Sequence, residues 1–167
     1  MRLYLIRHAD PDYANHTITA PGHLEAQSLA ERLSKEGIDR IYCSPLGRAL
    51  HTMQYTAERT GIEPVILPWL SELQDWHIKD ETGAERVAWN VDGEIIRGRS
   101  PLPTCEDWHL RAPFAEGDDF RGKFETIRRE SDRLFEQYGY RRVNGTYAIE
   151  RQNPIKIAAF CHMGFGL

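Results

Sequence analysis

The apolar residues of this chain recur at two different spacings, which predict strands and helices in alternation. Leu3–Ile6 is a short continuous apolar run, typical of a strand that is buried on both faces of a parallel sheet. From Thr19 to Leu33 apolar residues recur every three or four positions, which predicts an amphipathic helix. Thr19 is a candidate N-cap for this helix, and Gly37 is a candidate stop.

The same alternation continues through the next thirty or so positions. Ile41–Cys43 predicts a second strand, and Ser44-Pro45 is typical of an N-cap followed by the first residue of a helix. Gly61 suits the end of that helix. Val65–Leu67 lies between two prolines and predicts a short third strand.

The C-terminal third of the chain repeats these signals. An apolar stripe from Phe120 to Tyr138 predicts a long helix, with Asp118 or Asp119 as its N-cap and Gly139 at its end. The remaining signals predict a hairpin that turns at Asn144-Gly145 and a last strand at Ile157–Phe160.

Strands that alternate with helices of this length indicate βαβ units and a mainly parallel sheet covered on both faces. The predicted fold class is therefore α/β, a three-layer α/β/α arrangement of the Rossmann-like kind. At 167 residues the chain has the length of a single domain, and we predict one domain over residues 1–167.

Composition narrows the classes of function. Hydrophobic residues make up 41% and charged residues 28% of the chain, which is ordinary for a globular protein. A formal net charge of −4 gives no general attraction to nucleic acids or anionic membranes, so we expect neither as a partner. The sequence offers no apolar run long enough for a signal peptide or a membrane span, and its three cysteines lack metal-ligand spacing. A reducing, cytoplasmic setting without a bound metal or other cofactor is expected.

Reactive side chains follow several of the predicted strands. Arg7 and His8 follow the first strand, and Arg48 lies in the first turn of the helix after the second. Glu72 follows the third strand, and His162 follows the last. Ligands of open α/β sheets bind outside the carboxyl ends of the strands, and parallel strands place those ends at one edge. The sequence therefore predicts that these five side chains converge on a site for an anion such as phosphate.

Five segments in this order resemble the motifs of the histidine phosphatase superfamily, the phosphoglycerate mutase-like proteins. They are Leu5–Asp10, Thr19–Ala26, Cys43–Thr52, Trp69–Leu73 and Ala159–Gly164. An Arg-His pair alone carries little information, whereas five ordered segments at suitable spacing are specific.

The resemblance implies a covalent mechanism that needs no metal. His8 would attack the phosphorus and form a phosphohistidine. Three side chains would surround the phosphoryl oxygens: Arg7, Arg48 and His162. Glu72 would protonate the departing oxygen and then activate water, and Asn15 stands where the family often has a further polar phosphate ligand.

The resemblance does not extend over the middle of the chain. An insertion at about 73–117 is predicted to lie on the substrate side of the domain, since in this superfamily such an insertion covers the phosphate pocket. Trp76, Arg97 and Arg99 could contribute to a lid there, or the aromatic residues could form a small satellite cluster beside solvated arginines. Family members normally continue beyond the position of Leu167, so part of the C-terminal fold is expected to be missing.

Three functions remain open at this stage. The first is a phosphatase that acts on a small phosphorylated metabolite or a phosphoprotein. The second is a phosphoryl transferase of the phosphoglycerate mutase type, which shares the same catalytic residues. The third is a catalytically silent binding domain with the same fold. The sequence leaves the oligomeric state open.

Overall fold

A parallel sheet carries the residues that the sequence places at strand ends. The computed structural model describes residues 1–80, 82–98, 100–116 and 119–166, except for the side chains of residues 96 and 116. The strands are β1 Arg2–Arg7, β2 Pro11–Asp12, β3 Thr17–Ile18, β4 Arg40–Cys43, β5 Val65–Ile66, β6 His77–Lys79, β7 Glu85–Val87, β8 Tyr140–Val143, β9 Thr146–Ile149 and β10 Lys156–Cys161. The α-helices are α1 Ala20–Glu36, α2 Gly47–Thr60, α3 Gly93–Arg97, α4 Phe120–Gln137 and α5 Met163–Gly166.

Contacts within the chain define two units. The first comprises Met1–Glu72 and Glu130–Leu167, and the second comprises Leu73–Arg129. The second unit begins where the sequence predicts an insertion, and it extends past the predicted end of that insertion at residue 117. No helix in the described ranges is long and apolar enough to cross a lipid bilayer.

The first unit is built on four parallel strands in the order β1-β10-β4-β5. Helices α1 and α2 cover one face, where Ile41 and Phe160 pack against Leu33 and Met53. On the opposite face, Ile157 and Ala159 belong to a buried cluster that also contains Leu134 of α4. This arrangement confirms the predicted three-layer α/β/α fold with a parallel central sheet.

Helix boundaries follow the predicted caps in most places. The hydroxyl oxygen of Thr19 accepts a hydrogen bond from the Gly22 amide, and Gly37 ends α1 in the left-handed conformation at φ 71°. Asp119 accepts a hydrogen bond from the Gly122 amide at the start of α4. Asp118, the alternative N-cap, lies outside the described residues. The hairpin is confirmed as well, with β8 and β9 pairing antiparallel up to Val143 and Thr146.

Two local predictions are wrong. Helix α2 begins at Gly47 with Leu46 as its N-cap, so Ser44-Pro45 belongs to the preceding turn. The Ser44 hydroxyl does accept a hydrogen bond from the Leu46 amide, but this contact closes a turn ahead of the helix. Strand β1 is not buried on both faces, because Leu5 on one face is 54% exposed. In the described structure β1 pairs only with β10 and lies at the edge of the sheet.

The second unit contains the β6–β7 hairpin, helix α3 and an aromatic cluster. Trp76 packs edge-on against Phe120 at a ring-centroid distance of 5.5 Å, and Trp108 packs against Phe114 at 5.3 Å. Trp76 is therefore part of a satellite cluster, one of the two interpretations left open for this segment. Arg97 lies in the last turn of α3, and Arg99 lies outside the described residues.

Candidate active site

The carboxyl ends of β1, β10 and β4 bring the candidate site residues together. Beyond the strand ends, the His8 amide donates to the Cys161 carbonyl at 3.1 Å, and the Ser44 amide donates to the Phe160 carbonyl at 2.9 Å. These bonds extend the parallel ladder by one step on each side of β10. The residues that follow the three strands therefore lie in adjacent positions at one sheet edge.

His8 and His162 are neighbours at this edge, although they are 154 positions apart along the chain. Their ring centroids are 5.3 Å apart and the ring planes are inclined by 52°. His8 is 6% exposed and His162 is 1% exposed. Two imidazole rings so deeply buried and so close together cannot both carry a proton without strong repulsion and a large desolvation cost.

The surroundings favour the neutral form of both rings. Burial lowers the pKa of His8 from its usual value, and the nearby charges of Arg48 and Arg7 lower it further, against the opposing effects of the Ala9 hydrogen bond and Glu72. Burial, Arg48 and His8 together lower the pKa of His162 to about 3. Both histidines are therefore uncharged at neutral pH.

A hydrogen bond determines which nitrogen of His8 is available for chemistry. The Nδ1 atom lies 2.8 Å from the Ala9 carbonyl oxygen, which can only accept. Nδ1 therefore carries the proton of the neutral ring, and the lone pair resides on Nε2. A neutral imidazole with a free Nε2 lone pair can act as a nucleophile.

Arg48 lies in the first turn of α2 and is 8% exposed. Its Nε atom is buried and has no hydrogen-bond partner among the described residues. The phenol ring of Tyr13 lies 5.4 Å from the guanidinium carbon and is largely exposed at the rim of the site. A buried guanidinium with an unsatisfied donor is suited to binding an anion.

Thr52 connects the end of β1 to helix α2. Its hydroxyl accepts a hydrogen bond from the Ala9 amide at 2.9 Å and donates to the Arg48 carbonyl at 2.7 Å. Because Thr52 is 1% exposed, both bonds are shielded from water. The contact holds the backbone beside His8 against the backbone of Arg48.

Glu72 contacts the backbone just after His162. Its two carboxylate oxygens accept hydrogen bonds from the Gly164 and Phe165 amides at 3.4 and 3.2 Å. Its charge also acts on His8, where it partly opposes the lowering of the pKa. Glu72 is half-buried and lies within electrostatic reach of the histidine pair.

Two predicted residues are placed less directly. Arg7 is exposed at the end of β1, although its charge still lowers the pKa of His8. Asn15 is exposed, and its side-chain amide donates to the Asp12 carboxylate at 2.7 Å. The structure therefore brings four of the six predicted residues close together, puts Arg7 at their margin and engages Asn15 in its own loop.

Sequence reasoning assigned no role in the site to Ser44, Thr52 or Tyr13. The sequence predicts Ser44 as a helix N-cap, and this prediction gives no indication of its contact with His162. Thr52 follows Arg48 by one helical turn, a spacing that could have indicated a shared role. Nothing in the sequence distinguishes Tyr13 from any other exposed loop aromatic.

Comparison with known proteins identifies the class. Residues 3–101 match the sequence profile of the histidine phosphatase superfamily, branch 1. The chain belongs to this superfamily.

The chain is also similar in sequence to two relatives and in fold to a solved structure. The adenosylcobalamin/α-ribazole phosphatase of Salmonella typhimurium is 30% identical over 145 residues, which cover 80% of this chain and 67% of that protein. The probable phosphoglycerate mutase of Serratia proteamaculans is 29% identical over 120 residues, covering 60% of this chain and 56% of the relative. The structure of a putative α-ribazole-5′-P phosphatase from Escherichia coli superposes with a TM-score of 0.57 at 24% identity. That superposition covers 99% of this chain and 75% of the other, and it supports the fold alone.

Proposed function

We propose that this protein is a metal-independent phosphatase that hydrolyses a phosphomonoester through a phosphohistidine on His8. The observation that carries the proposal is the pair of neutral, buried histidines beside the unsatisfied Arg48 guanidinium. One ring offers a lone pair, and its neighbours offer hydrogen-bond donors for the phosphoryl oxygens.

The first step transfers the phosphoryl group to the enzyme. The Nε2 lone pair of His8 attacks phosphorus, and the bond from phosphorus to the substrate oxygen breaks. Arg48, His162 and Arg7 stabilise the negative charge on the phosphoryl oxygens by position and electrostatics. Glu72 enters this step in its protonated form and gives its proton to the departing oxygen, so that an alcohol leaves.

The second step returns the enzyme to its starting state. Glu72, now a carboxylate, takes a proton from water as the water oxygen bonds to phosphorus. The phosphorus–nitrogen bond breaks, and its electron pair returns to Nε2 of a neutral His8. Each step is a simple displacement at phosphorus, and the sequence of two replaces one slower reaction. We propose a small phosphorylated metabolite or a phosphoprotein as substrate, and a reducing cytoplasmic setting remains a prediction.

An assay with an aryl phosphate in excess chelator tests the proposal. We expect the wild-type protein to release inorganic phosphate, and His8→Ala to lower the rate by about 10³-fold or more. His23→Asn is the matched control, because His23 lies on α1 and its side chain bonds only to Tyr55 among the described hydrogen bonds. Turnover that survives in His8→Ala would contradict the mechanism.

A mutase remains the second candidate, because a probable phosphoglycerate mutase is among the relatives. The same enzyme preparation distinguishes the two. A mutase interconverts phosphoglycerate isomers faster than it releases inorganic phosphate, whereas a phosphatase shows the reverse. A protein that binds phosphate but performs neither reaction would be the catalytically silent domain.

A further inference from the structure

The two nitrogens of the His162 ring have different surroundings. Nε2 lies 2.8 Å from the Ser44 hydroxyl oxygen. Nδ1 is buried and has no hydrogen-bond partner among the described residues. Ser44 itself is fully buried, so water does not compete for its hydroxyl group.

Hydrogen-bond accounting decides the direction of the contact between Ser44 and His162. The Ser44 oxygen already accepts a hydrogen bond from the Leu46 amide at 3.2 Å. If Nε2 also donated to this oxygen, the hydroxyl hydrogen would need another acceptor, and the described contacts provide none for it. A buried donor without an acceptor costs about 1–3 kcal/mol in general. The arrangement that satisfies both groups has the hydroxyl donating to Nε2.

That direction fixes the form of the ring. A neutral imidazole has one protonated nitrogen, so an accepting Nε2 places the proton on Nδ1. We propose that Ser44 is a positioning residue that holds His162 as the neutral Nδ1–H tautomer, so that Nδ1–H is a hydrogen-bond donor to the transferred phosphoryl group. This inference rests on the proposed function for its acceptor, but not for the tautomer itself.

The charged and titratable groups around the ring agree with an uncharged donor. Arg48 faces it from α2 and His8 from the end of β1, and both disfavour a second positive charge. Glu72 faces the segment just after His162, where its carboxylate accepts hydrogen bonds from the Gly164 and Phe165 amides. In this arrangement the arginines provide positive charge for the phosphoryl group, and His162 provides an uncharged, oriented N–H donor.

Two buried nitrogen atoms at this sheet edge have unsatisfied hydrogen-bonding capacity in the described part of the chain. Nδ1 of His162 and Nε of Arg48 are both buried and lack hydrogen-bond partners in the described part of the chain. One acceptor-rich anion can satisfy two such donors at once. An unsatisfied pair in one site is more consistent with a preformed anion cradle than with two unrelated packing defects.

Nitrogen-15 NMR of the histidine side chains tests the tautomer directly. The His162 signals are identified as those that disappear in His162→Gln. In the wild-type protein near neutral pH we expect the Nδ1 shift of a protonated nitrogen and the Nε2 shift of an unprotonated one. In Ser44→Ala we expect this pattern to be lost to a mixture or to the opposite tautomer. A wild-type spectrum with the proton on Nε2 would overturn the proposal, even if Ser44→Ala does not fold.

Kinetics provide the second readout. We expect Ser44→Ala to lower kcat about tenfold, the effect of losing one oriented hydrogen bond in the transition state, while KM changes less. Thr56→Val is the matched control, because it removes an equally buried hydroxyl that has no described partner. A tautomer that is unchanged in Ser44→Ala would refute the role of Ser44 and leave the phosphatase proposal intact. If the wild-type protein showed the expected tautomer but no phosphatase activity, the phosphatase proposal would be refuted and the effect of Ser44 on the tautomer would stand.

Discussion

At the scale of single residues, the site combines two neutral imidazole rings, those of His8 and His162, with positively charged guanidinium groups. The rings of His8 and His162 have their centroids 5.3 Å apart in a buried setting that favours the neutral imidazole, and Arg48 supplies positive charge beside them. This division suits phosphoryl transfer, because the nucleophile must be neutral while the oxygens of the phosphoryl group need donors.

The buried histidines make stability depend on acidity in a definite direction. The folded pKa of His162 is about 3, well below the usual histidine value of 6.5, so the unfolded state binds its proton first as pH falls. Stability is therefore fully present above about pH 6.5 and declines toward the folded pKa, by up to about 1.4 kcal/mol per pH unit for one histidine. Urea unfolding from neutral pH to about pH 4 measures this slope. We expect a shallower slope in His162→Gln, and equal slopes would contradict the assignment.

The buried Thr52 hydroxyl gives a prediction about position. Thr52→Val removes the acceptor for the Ala9 amide and the donor to the Arg48 carbonyl at nearly constant volume. We expect a loss of about 1–3 kcal/mol in unfolding free energy and a lower kcat, because a buried backbone amide is left without its partner. Thr56→Val, at a site without a described partner, should be close to neutral. Equal effects of the two variants would argue against the positioning role.

Individual residues also show where sequence reasoning stopped. Arg7, His8, Arg48, Glu72 and His162 could be proposed because each follows a predicted strand. The hydrogen bond from Ser44 to His162 could not, since it joins residues 118 positions apart and depends on side-chain directions. Asn15 was proposed from its position in the family pattern alone, and its role stays a prediction; in the structure its side chain bonds to Asp12 within its own loop.

At the scale of elements, parallel strand pairing accounts for the convergence. Strand β10 pairs with β1 on one side and β4 on the other, in a register that aligns Arg7 with Cys161 and Cys43 with Phe160. The apolar periodicity was sufficient to predict these strands and the helices between them, because burial on a sheet face imposes it. It could not reveal that β1 leaves Leu5 exposed, since that depends on which elements pack against that face of the strand.

The start of α2 was misplaced for a related reason. Ser44-Pro45 has the composition of a helix start, but the close approach of the His16 carbonyl to Gly47 sets where the helix begins. A Cβ atom at Gly47 would lie 2.0 Å from the His16 carbonyl oxygen. Only glycine allows the loop after β2 to lie directly against the first turn of α2.

Gly47→Ala therefore tests the connection between this loop and the site. Alanine favours a helix interior by about 1 kcal/mol over glycine, yet we expect net destabilisation and a lower kcat, because Arg48 is the next residue and must shift. Thermal unfolding and aryl phosphate turnover measure the two effects. Gly145→Ala is the control, since no atom lies within 4 Å of its added Cβ, and it should change neither. A stabilised and fully active Gly47→Ala would refute this account of the loop.

At the scale of the whole molecule, the chain combines a unit that carries the candidate catalytic residues with a second unit over Leu73–Arg129. The family profile covers residues 3–101, and the Salmonella phosphatase extends beyond the part that this chain matches. The catalytic unit was predictable because its motifs lie at strand ends. The second unit was not, because its aromatic cluster and short helices have no simple periodicity.

Replacement of Arg97 and Arg99 tests whether the second unit selects the substrate. If the segment contributes a lid, the double variant Arg97→Ala/Arg99→Ala should raise KM for some phosphoesters by about tenfold and leave others unchanged, since a lid contacts the leaving group. Arg133→Ala/Arg141→Ala removes the same charge from exposed ion pairs with Glu130 and Glu150 and serves as the control. Unchanged KM values across the whole panel would remove the lid from the account.

The central claim is that His8 becomes covalently phosphorylated, and mass spectrometry of the quenched enzyme tests it most directly. The wild-type protein is mixed with substrate, quenched within the first turnovers at alkaline pH and digested under conditions that preserve phosphohistidine. We predict one added phosphoryl group on the peptide that contains His8, lost on acid treatment and absent in His8→Ala. The substrate is an aryl phosphate whose leaving group needs no proton, so that Glu72→Gln slows hydrolysis of the intermediate more than its formation. Phosphate on another residue, or turnover of this substrate by Glu72→Gln with no phosphorylated intermediate, would contradict the account.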